Sequence, residues 1–455
     1  MEQLRTDVVV VGAGATGLTA ATRLRESGLA VIVLEARDRV GGRLLTDEID
    51  GQMYEVGGQW VSPDQSALLE TLSDLGLETY ERYRDGESVY VDRAGEARRF
   101  TGDIFPAGPE TEAEIARLIE LLDELVAEID AAAPWSHPRA RDLDHISFEA
   151  WLAQQSDNEE ARDNIALFVA GAMLTKPAHA FSLLQALLMA ASAGSFSNLV
   201  DADFILDRRV VGGLQQVPLR LAEKLGGDIV RTSQIVRRVD WTDESVTVST
   251  DSLAIEARQV IVAVAPNLWS RIDYNPPLPR LHQQLQQHQS LGLVIKVHAS
   301  YDRPFWRDAG LSGTAFSPYQ LVHEAYDNSN HGESRGTLVG FVSDEKADAL
   351  FGLSTEERKA RILDSLASYY GPEALAPVVY YESDWAAEEW TRGAYASSFD
   401  LGGLTRYGAQ QLEPVGPIRF GSSDLAGLGY QHVDGAIRVG RRLADEVLAV
   451  VPVSV

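Results

Sequence analysis

The fold is indicated by a stretch near the start of the chain, Val8-Val9-Val10-Val11-Gly12-Ala13-Gly14-Ala15-Thr16-Gly17. Its four valines predict a buried strand, and a helical pattern of apolar residues begins directly after it at Leu18. Gly12, Gly14 and Gly17 form a G-x-G-x-x-G motif, which permits a tight turn, a close approach of the backbone to a pyrophosphate and close helix packing. The stretch therefore predicts a dinucleotide phosphate at a helix N-terminus.

The residues that follow extend this motif. Glu35 closes a second apolar strand, Ala30–Leu34, where a carboxylate can accept hydrogen bonds from ribose hydroxyls. The turn Gly41-Gly42-Arg43 then offers backbone amides and a guanidinium to the same pyrophosphate. The sequence has all parts of such a site in order: strand, turn, helix, second strand and acid. This order favours a dinucleotide site over a glycine-rich turn that binds no ligand. No second G-x-G-x-x-G occurs in the sequence, which disfavours a reductase with a paired NAD(P)H domain.

Composition excludes several classes of chemistry. The chain has 455 residues, enough for two or three packed units, and 45% of them are hydrophobic. It has no cysteine, which excludes disulfides, cysteine metal sites and a cysteine nucleophile, and we predict no metal site. With 40 basic and 67 acidic residues the net charge is −27, which disfavours nucleic acid as a partner and attracts cations.

Segments along the chain predict a soluble protein in the cytoplasm. Met1–Asp7 lacks the basic and apolar regions of a signal peptide, and no apolar run reaches the length of a membrane span, so we expect no membrane partner. Thr111–Ala133 predicts a long amphipathic helix, and Asn164–Ala193 predicts a buried helical region. Val260–Val264 predicts a central parallel strand.

The stretch Val8–Arg43 resembles flavoproteins that bind FAD through G-x-G-x-x-G, an acid and R-x-G-G-R. Further motifs occur in the order found in the flavin-containing monoamine oxidases, over nearly the whole chain: Glu55–Trp60, Val211–Gln216, Leu293–Val297, Phe305-Trp306, Trp385 with Trp390, Tyr395, and Gly421–Ala436. Within that family the sequence is most similar to the bacterial putrescine oxidases, particularly over Lys176–Ser197, Asp203–Gln216 and Leu321–Asp344.

This resemblance implies an α/β (α+β) fold of the amine oxidase type with two domains. A Rossmann-like FAD-binding domain is expected to comprise residues 1–80, 205–290 and 390–455. A substrate-binding domain of mixed sheet and helices is expected to comprise residues 81–204 and 291–389.

The resemblance also implies the cofactor and its contacts. Cofactor binding is assigned to Gly12, Gly14, Ala15, Thr16, Gly17, Glu35, Ala36, Arg37, Gly42, Arg43, Gly58, Gln59, Trp60, Val236, Trp385, Ser423, Asp424 and Val433. Relatives that attach FAD covalently have a cysteine immediately before the residue that matches Tyr395, whereas Ala394 stands there in this chain. We therefore expect FAD to be held noncovalently, since a thioether needs that cysteine and no family motif positions a histidyl link.

Three residues are assigned to catalysis. Lys296 lies in an otherwise apolar strand, where burying an ammonium is costly, and the matching lysine of the family holds a water at flavin N5. The alternative is a lysine that reaches the surface. Tyr395 matches one wall of the family's aromatic cage. His432 stands where mammalian monoamine oxidases have the second tyrosine, and whether it acts chemically or only as a wall is left open.

Three further residues are assigned to the substrate. Glu324 lies in a segment that resembles the strand lining the cavity entrance in the family, with Tyr326 beside it and Phe316 on the preceding strand. An exposed glutamate is the alternative. A diamine substrate favours the functional interpretation, because its distal ammonium stays charged while the reacting amine must be neutral. Glu324 is therefore predicted to be the counter-ion of the distal ammonium.

The resemblance implies an oxidoreductase that uses FAD to oxidise a primary amine, putrescine or a similar aliphatic diamine, to the aldehyde. Ammonia and hydrogen peroxide are the expected products, as in polyamine catabolism, with the amine and oxygen as partners. Two alternatives stay open: an oxidase of aryl or alkyl monoamines, and a noncatalytic binding protein on the same scaffold. A homodimer is one assembly that the resemblance allows.

Overall fold

The computed structural model describes residues 2–452, and Val8–Val11 lies in a five-stranded parallel sheet. The strand order is Val230–Arg231, Val31–Leu34, Val8–Val11, Gln259–Val262 and Ile418–Phe420. Every pair of neighbours is parallel, and Val8, Val9 and Val10 are completely buried, because both faces of the sheet are covered. The predicted central strand at Val260–Val264 is confirmed, as Gln259–Val262 has a partner on each side.

Two helices pack closely at the glycine-rich turn. Ala15–Glu26 begins directly after Gly14, and it packs along the C-terminal helix Val433–Leu448. A Cβ placed on Gly440 would lie 2.5 Å from the carbonyl oxygen of Thr16, so glycine is required for this approach of the two helices. The C-terminal helix thereby packs against the helix that follows the glycine-rich turn and holds it in place.

A seven-stranded sheet carries the residues assigned to substrate and catalysis. Its order is Val379–Glu382, Val294–Tyr301, Gly336–Ser343, Glu324–Asp327, Leu311–Phe316, Glu87–Val91 and Ala97–Phe100. All eight residues of the strand that contains Lys296 are buried. Glu324 pairs with Phe316 on one side and with Phe341 on the other, which places these side chains at one position of the sheet.

The remaining strands form smaller sheets. One mixed sheet has the order Glu2–Arg5, Leu253–Ala257, Val246–Ser249, Arg238–Trp241 and Asp273–Asn275. An antiparallel sheet has the order Trp60–Val61, Arg208–Val210 and Thr79–Glu81. Two antiparallel pairs join Gln289–Gly292 to Ala394–Phe399 and Thr46–Ile49 to Gln52–Glu55, and the second of these is a hairpin.

The other helices connect and cover these sheets. The α-helices are Ser66–Asp74, Pro109–Val126, Ala140–Asp144, Phe148–Gln155, Glu159–Ala166, Leu183–Ser192, Phe196–Val200, Ala202–Ile205, Gln216–Leu225, Arg280–Leu285, Phe305–Asp308, Asp344–Phe351, Thr355–Tyr370 and Gly403–Tyr407. Short 3₁₀ helices lie at Pro134–Ser136, Pro266–Arg271, Pro372–Leu375, Gln410–Leu412 and Ser423–Leu425. Leu167–Leu174 is a π-helix.

Two predicted helices differ from the structure. The amphipathic helix ends at Val126 instead of Ala133, and the Asp130 side chain accepts a hydrogen bond from the backbone N–H of Ala132 at 2.9 Å. Such local side-chain bonds compete with helix continuation. The region Asn164–Ala193 is largely buried as predicted, but it is interrupted after Leu174 and resumes as a helix at Leu183.

Across residues 2–452, no helix combines the length and the apolar character needed to cross a membrane. The seven-stranded sheet draws its strands from residues 87–100 and 294–382, which lie inside the segments predicted for the substrate-binding domain. The domain boundaries themselves stay a prediction.

Candidate active site

A cavity of about 340 Å³ is lined by both the glycine-rich turn and the seven-stranded sheet. Its volume lies in the range of small-molecule and cofactor sites. The lining includes all three residues assigned to catalysis and all three assigned to substrate. It also includes the residues assigned to the cofactor, except Gly17 and Asp424.

Glu35 fixes the backbone at one end of the cavity. Its carboxylate accepts hydrogen bonds from the backbone N–H of Ala13 at 2.8 Å and from that of Arg37 at 3.0 Å. The Arg37 side chain forms an ion pair with Glu388 and donates to the Thr391 hydroxyl at 2.7 Å. These contacts join the turn after the first strand to the turn after the second, as a dinucleotide site requires.

The glycines of the motif serve two different purposes. A Cβ placed on Gly14 would meet nothing within 4 Å, whereas one on Gly17 would lie 2.0 Å from the Gly12 carbonyl oxygen. Gly14 therefore opens space for a ligand, and Gly17 allows the helix to pack on the turn. The predicted cofactor role of Gly17 is thus indirect in this structure.

The residues at the helix N-terminus fit the phosphates of FAD. Gly14 is the N-cap of Ala15–Glu26 and supplies no side-chain hydrogen bond, which leaves the first backbone N–H groups free for an anion. Gly42, at φ +59°, leaves similar room, since a Cβ there would approach only the Gly14 Cα, at 3.5 Å. Gly14, Ala15, Thr16 and Arg43 would hold the pyrophosphate.

Arg43 is held by Asp424, which lies behind it and outside the cavity lining. The guanidinium donates to both carboxylate oxygens, at 2.6 and 3.1 Å, and also to the carbonyl oxygen of Tyr395 at 2.9 Å. Burial opposes the charge of Asp424, yet Arg43 keeps the pKa of that carboxyl below its usual range. The predicted role of Asp424 in cofactor binding would therefore be exerted through Arg43.

Lys296 is buried, and its Nζ faces three acceptor oxygens, all of which an ammonium satisfies and two of which a neutral amine satisfies. Its Nζ donates to the carbonyl oxygens of Glu55 at 2.6 Å and Gly57 at 2.8 Å, and to the side-chain oxygen of Gln59. Burial lowers its pKa to about 7, although nearby Glu55 opposes the shift. Lys296 does not reach the surface, and its three acceptors hold the segment that contributes Gly57, Gly58 and Gln59 to the cavity wall.

Two polar side chains lining the cavity have buried nitrogen atoms without a hydrogen-bond partner in the described residues. These are the Nε1 of Trp60 and the Nε2 of Gln431. Native proteins seldom leave such donors unpaired, so both are expected to bond to a bound ligand. Sequence analysis missed Gln431, whose left-handed φ of +69° directs a polar side chain here immediately before His432.

His432 and Tyr395 are neutral groups in the cavity wall. The Nδ1 of His432 lies 2.9 Å from the carbonyl oxygen of Tyr430, so Nδ1 carries the proton and Nε2 is left as an acceptor. Burial lowers the pKa of His432, and its N-cap position on Val433–Leu448 also disfavours an imidazolium. Burial, together with Glu324, raises the pKa of Tyr395 well above its ordinary value.

Glu324 is a buried carboxylate among aromatic rings. It is 6% exposed, and one carboxylate oxygen accepts a hydrogen bond from the Tyr326 hydroxyl at 2.7 Å. The Phe316 ring packs edge-on against Tyr326 at 5.7 Å. Within residues 2–452 its one ion-pair contact is with His323, and no lysine or arginine neutralises it. The alternative of an exposed glutamate is excluded.

The π-helix Leu167–Leu174 supplies apolar walls that sequence analysis also missed. Phe168, Ala172 and Met173 line the cavity, and Ile205 and Leu206 line it as well. An apolar helical segment has no polar residue that would indicate a function. Its π-helical geometry also cannot be recognised from the spacing of its apolar residues. The apolar walls thus lie in the same cavity as the buried carboxylate of Glu324.

Comparisons with known proteins agree with this geometry. Residues 15–448 match the family described as flavin containing amine oxidoreductase. The chain is 62% identical to a putrescine oxidase of Kocuria rosea, over 97% of this chain and 95% of that protein. It superposes on a wild-type putrescine oxidase structure bound to putrescine with a TM-score of 0.97 and 64% identity, covering 98% of this chain and 100% of the other. A cyclohexylamine oxidase of Brevibacterium oxydans gives a TM-score of 0.93 at 28% identity, over 98% and 99% of the two chains.

Proposed function

The chain belongs to the flavin containing amine oxidoreductase family, and on that premise we propose that it oxidises putrescine or a similar aliphatic diamine. The products are the aminoaldehyde, ammonia and hydrogen peroxide. The observation that carries the proposal is the buried carboxylate of Glu324, which lines the cavity and has no lysine or arginine partner within residues 2–452. The Kocuria rosea relative is named a putrescine oxidase, and a solved relative holds putrescine, which supports the same substrate.

Different residues of the cavity lining suit the two amines of a diamine. A distal ammonium placed at Glu324 forms a charge-assisted hydrogen bond in a region with few competing polar groups. The reacting amine must be neutral, and the unprotonated Nε2 of His432 can accept a hydrogen bond from it. The neutral ring of Tyr395 offers contact without trapping that amine in an ion pair.

We propose FAD as the flavin, held without a covalent bond. FAD, when bound, supplies the acceptor for the hydride of the amine Cα–H and passes the electrons to oxygen. Glu35, Arg43 and the open backbone at Gly14 would hold it, since Ala394 has no side-chain nucleophile. Lys296 fixes the segment beside it through Glu55, Gly57 and Gln59. A cytoplasmic location and a homodimer stay predictions beside this proposal.

A peroxide assay with putrescine and butylamine tests the substrate assignment. We expect the kcat/KM for putrescine to exceed that for butylamine, because only the diamine presents a second ammonium to Glu324. Glu324→Gln is expected to raise the KM for putrescine about tenfold or more and to change that for butylamine little, as a hydrogen bond between charged groups is lost.

Equal effects of Glu324→Gln on both amines would remove Glu324 from the substrate site. A wild-type protein that oxidises butylamine or an arylamine better than putrescine would favour the monoamine alternative, which the apolar walls at Phe168 and Met173 also accommodate. A protein that takes up no FAD would favour the noncatalytic alternative.

A further inference from the structure

His323 lies directly before Glu324 in the chain, and it is buried, with 3% of its surface exposed. We infer that His323 is a positioning residue, which fixes the Glu324 carboxylate so that it can receive the distal ammonium of a diamine. The inference rests on the proposed function. It makes His323 one of the residues that determine the preference of the protein for diamines over monoamines.

The two side chains meet inside the protein. The Nε2 of His323 lies 3.5 Å from the Oε1 of Glu324, and Nε2 has no hydrogen-bond partner within the described residues 2–452. The other oxygen, Oε2, accepts a hydrogen bond from the Tyr326 hydroxyl at 2.7 Å. Each carboxylate oxygen thus has one donor of the protein beside it, and a small rotation brings Nε2 within hydrogen-bond distance.

The position of the imidazole is set by its surroundings. The backbone N–H of His323 donates to the Phe341 carbonyl at 3.0 Å, and its carbonyl accepts from the N–H of Ser317 at 2.9 Å. On the side of the π-helix, a Cβ placed on Gly171 would lie 3.4 and 3.5 Å from two ring atoms. The ring therefore lies between the π-helix at Gly171 and the carboxylate of Glu324.

The second ring nitrogen of His323 also has a polar neighbour. The hydroxyl of Ser343 lies 3.5 Å from Nδ1, and it can donate to Nδ1 in the tautomer that carries its N–H on Nε2. An N–H on Nε2 directed at Oε1 orients the carboxylate from the side opposite the Tyr326 hydroxyl bond on Oε2. His323 therefore acts on the diamine through Glu324 and does not touch the substrate itself.

The experiment compares His323→Leu with His323→Gln in the FAD-loaded enzyme. Leu removes the donor, and Gln keeps an N–H group at a similar reach. We expect His323→Leu to raise the KM for putrescine about tenfold with kcat nearly unchanged, and to leave the KM for butylamine within about twofold. His323→Gln is expected to restore most of the putrescine KM. Thermal unfolding of each variant reports folding separately from these ratios.

His282→Gln is the matched control, since His282 is buried to 2% exposure on the helix Arg280–Leu285 and does not line the cavity. It should leave the ratio of the two KM values unchanged. A His323→Leu variant that folds and keeps the wild-type ratio overturns the inference, as does an equal loss with both amines. If Glu324→Gln also fails to change the ratio, the proposed substrate site is wrong; if it does change the ratio, only the role of His323 fails.

Discussion

Ala394 is the residue on which the proposal of a noncovalently held cofactor rests. It precedes Tyr395 in the strand Ala394–Phe399, and its methyl group cannot form a thioether. We expect acid precipitation of the holoenzyme to release all of the yellow chromophore into the supernatant, measured by absorbance of the two fractions. Colour that stays with the precipitated chain would contradict noncovalent binding.

Lys296 makes stability depend on pH. Burial lowers its pKa from 10.5 to about 7, so between these values the folded state holds it neutral while the unfolded state binds a proton. The free energy of unfolding then rises with pH in this window, by about 1.4 kcal/mol per pH unit from this residue. The contribution is least favourable below pH 7, where the buried amine is charged.

Lys296→Met removes this dependence. Urea unfolding at about pH 7.5 and about pH 9 should show the wild type gaining about 2 kcal/mol relative to the variant over that interval. The three acceptors that Met leaves unpaired add a constant offset, which does not change with pH. Lys224→Met, at an exposed lysine paired with Glu26, is the control and should show a difference independent of pH. A parallel pH response of Lys296→Met and wild type would show that Lys296 is not buried in this way.

Sequence analysis identified Lys296 because it is an ionisable group in an apolar strand, which is a local pattern. It identified Glu324 from the resemblance of its segment to the strand that lines the cavity entrance in the family. It did not identify His323 or Gln431. The placement of His323 becomes visible only through its neighbours Gly171 and Ser343, which are distant in the chain. The orientation of Gln431 depends on its positive φ. Neither feature can be recognised from the residues next to it in the sequence.

The glycine-rich turn is the element with the sharpest test. Gly14→Ala is expected to leave the thermal unfolding of the apoprotein nearly unchanged and to weaken FAD binding about tenfold or more, because its Cβ points into open space where the phosphates would lie. Gly17→Ala is expected to lower the stability of the apoprotein itself, since its Cβ would lie 2.0 Å from the Gly12 carbonyl oxygen. Apoprotein unfolding and FAD titration measure the two effects.

The opposite outcome, with Gly14→Ala destabilising the apoprotein as much as Gly17→Ala, would refute the distinction between the two glycines. At this scale the strand, turn, helix and second strand of residues 8–34 could be predicted, because periodicity and glycine spacing are local. The end of the helix Pro109–Val126 and the π-helix Leu167–Leu174 could not, since both depend on side-chain and tertiary contacts.

At the scale of the whole molecule, the order of the parallel sheet required the structure. Gln259–Val262 joins Val8–Val11 to Ile418–Phe420, and these three strands are far apart in the chain. The residues of the site likewise come from both ends of the chain, since Arg43 forms an ion pair with Asp424. The resemblance to a family implied that these distant segments meet at one site. The pattern of residues within any single segment did not predict it.

The net charge of −27 predicts a long-range effect on substrate capture. A negative field attracts cations, and it acts twice as strongly on a dication as on a monocation of equal length. Raising NaCl from about 20 mM to about 300 mM shortens the Debye length well below the size of the protein, so we expect kcat/KM for putrescine to fall about threefold or more, and that for butylamine to fall less. Glu324→Gln changes one charge at the site and leaves the overall field, so its putrescine kcat/KM should start lower and keep most of the salt dependence. Equal salt effects on the two amines would show that the overall charge serves solubility alone and that discrimination arises wholly at Glu324.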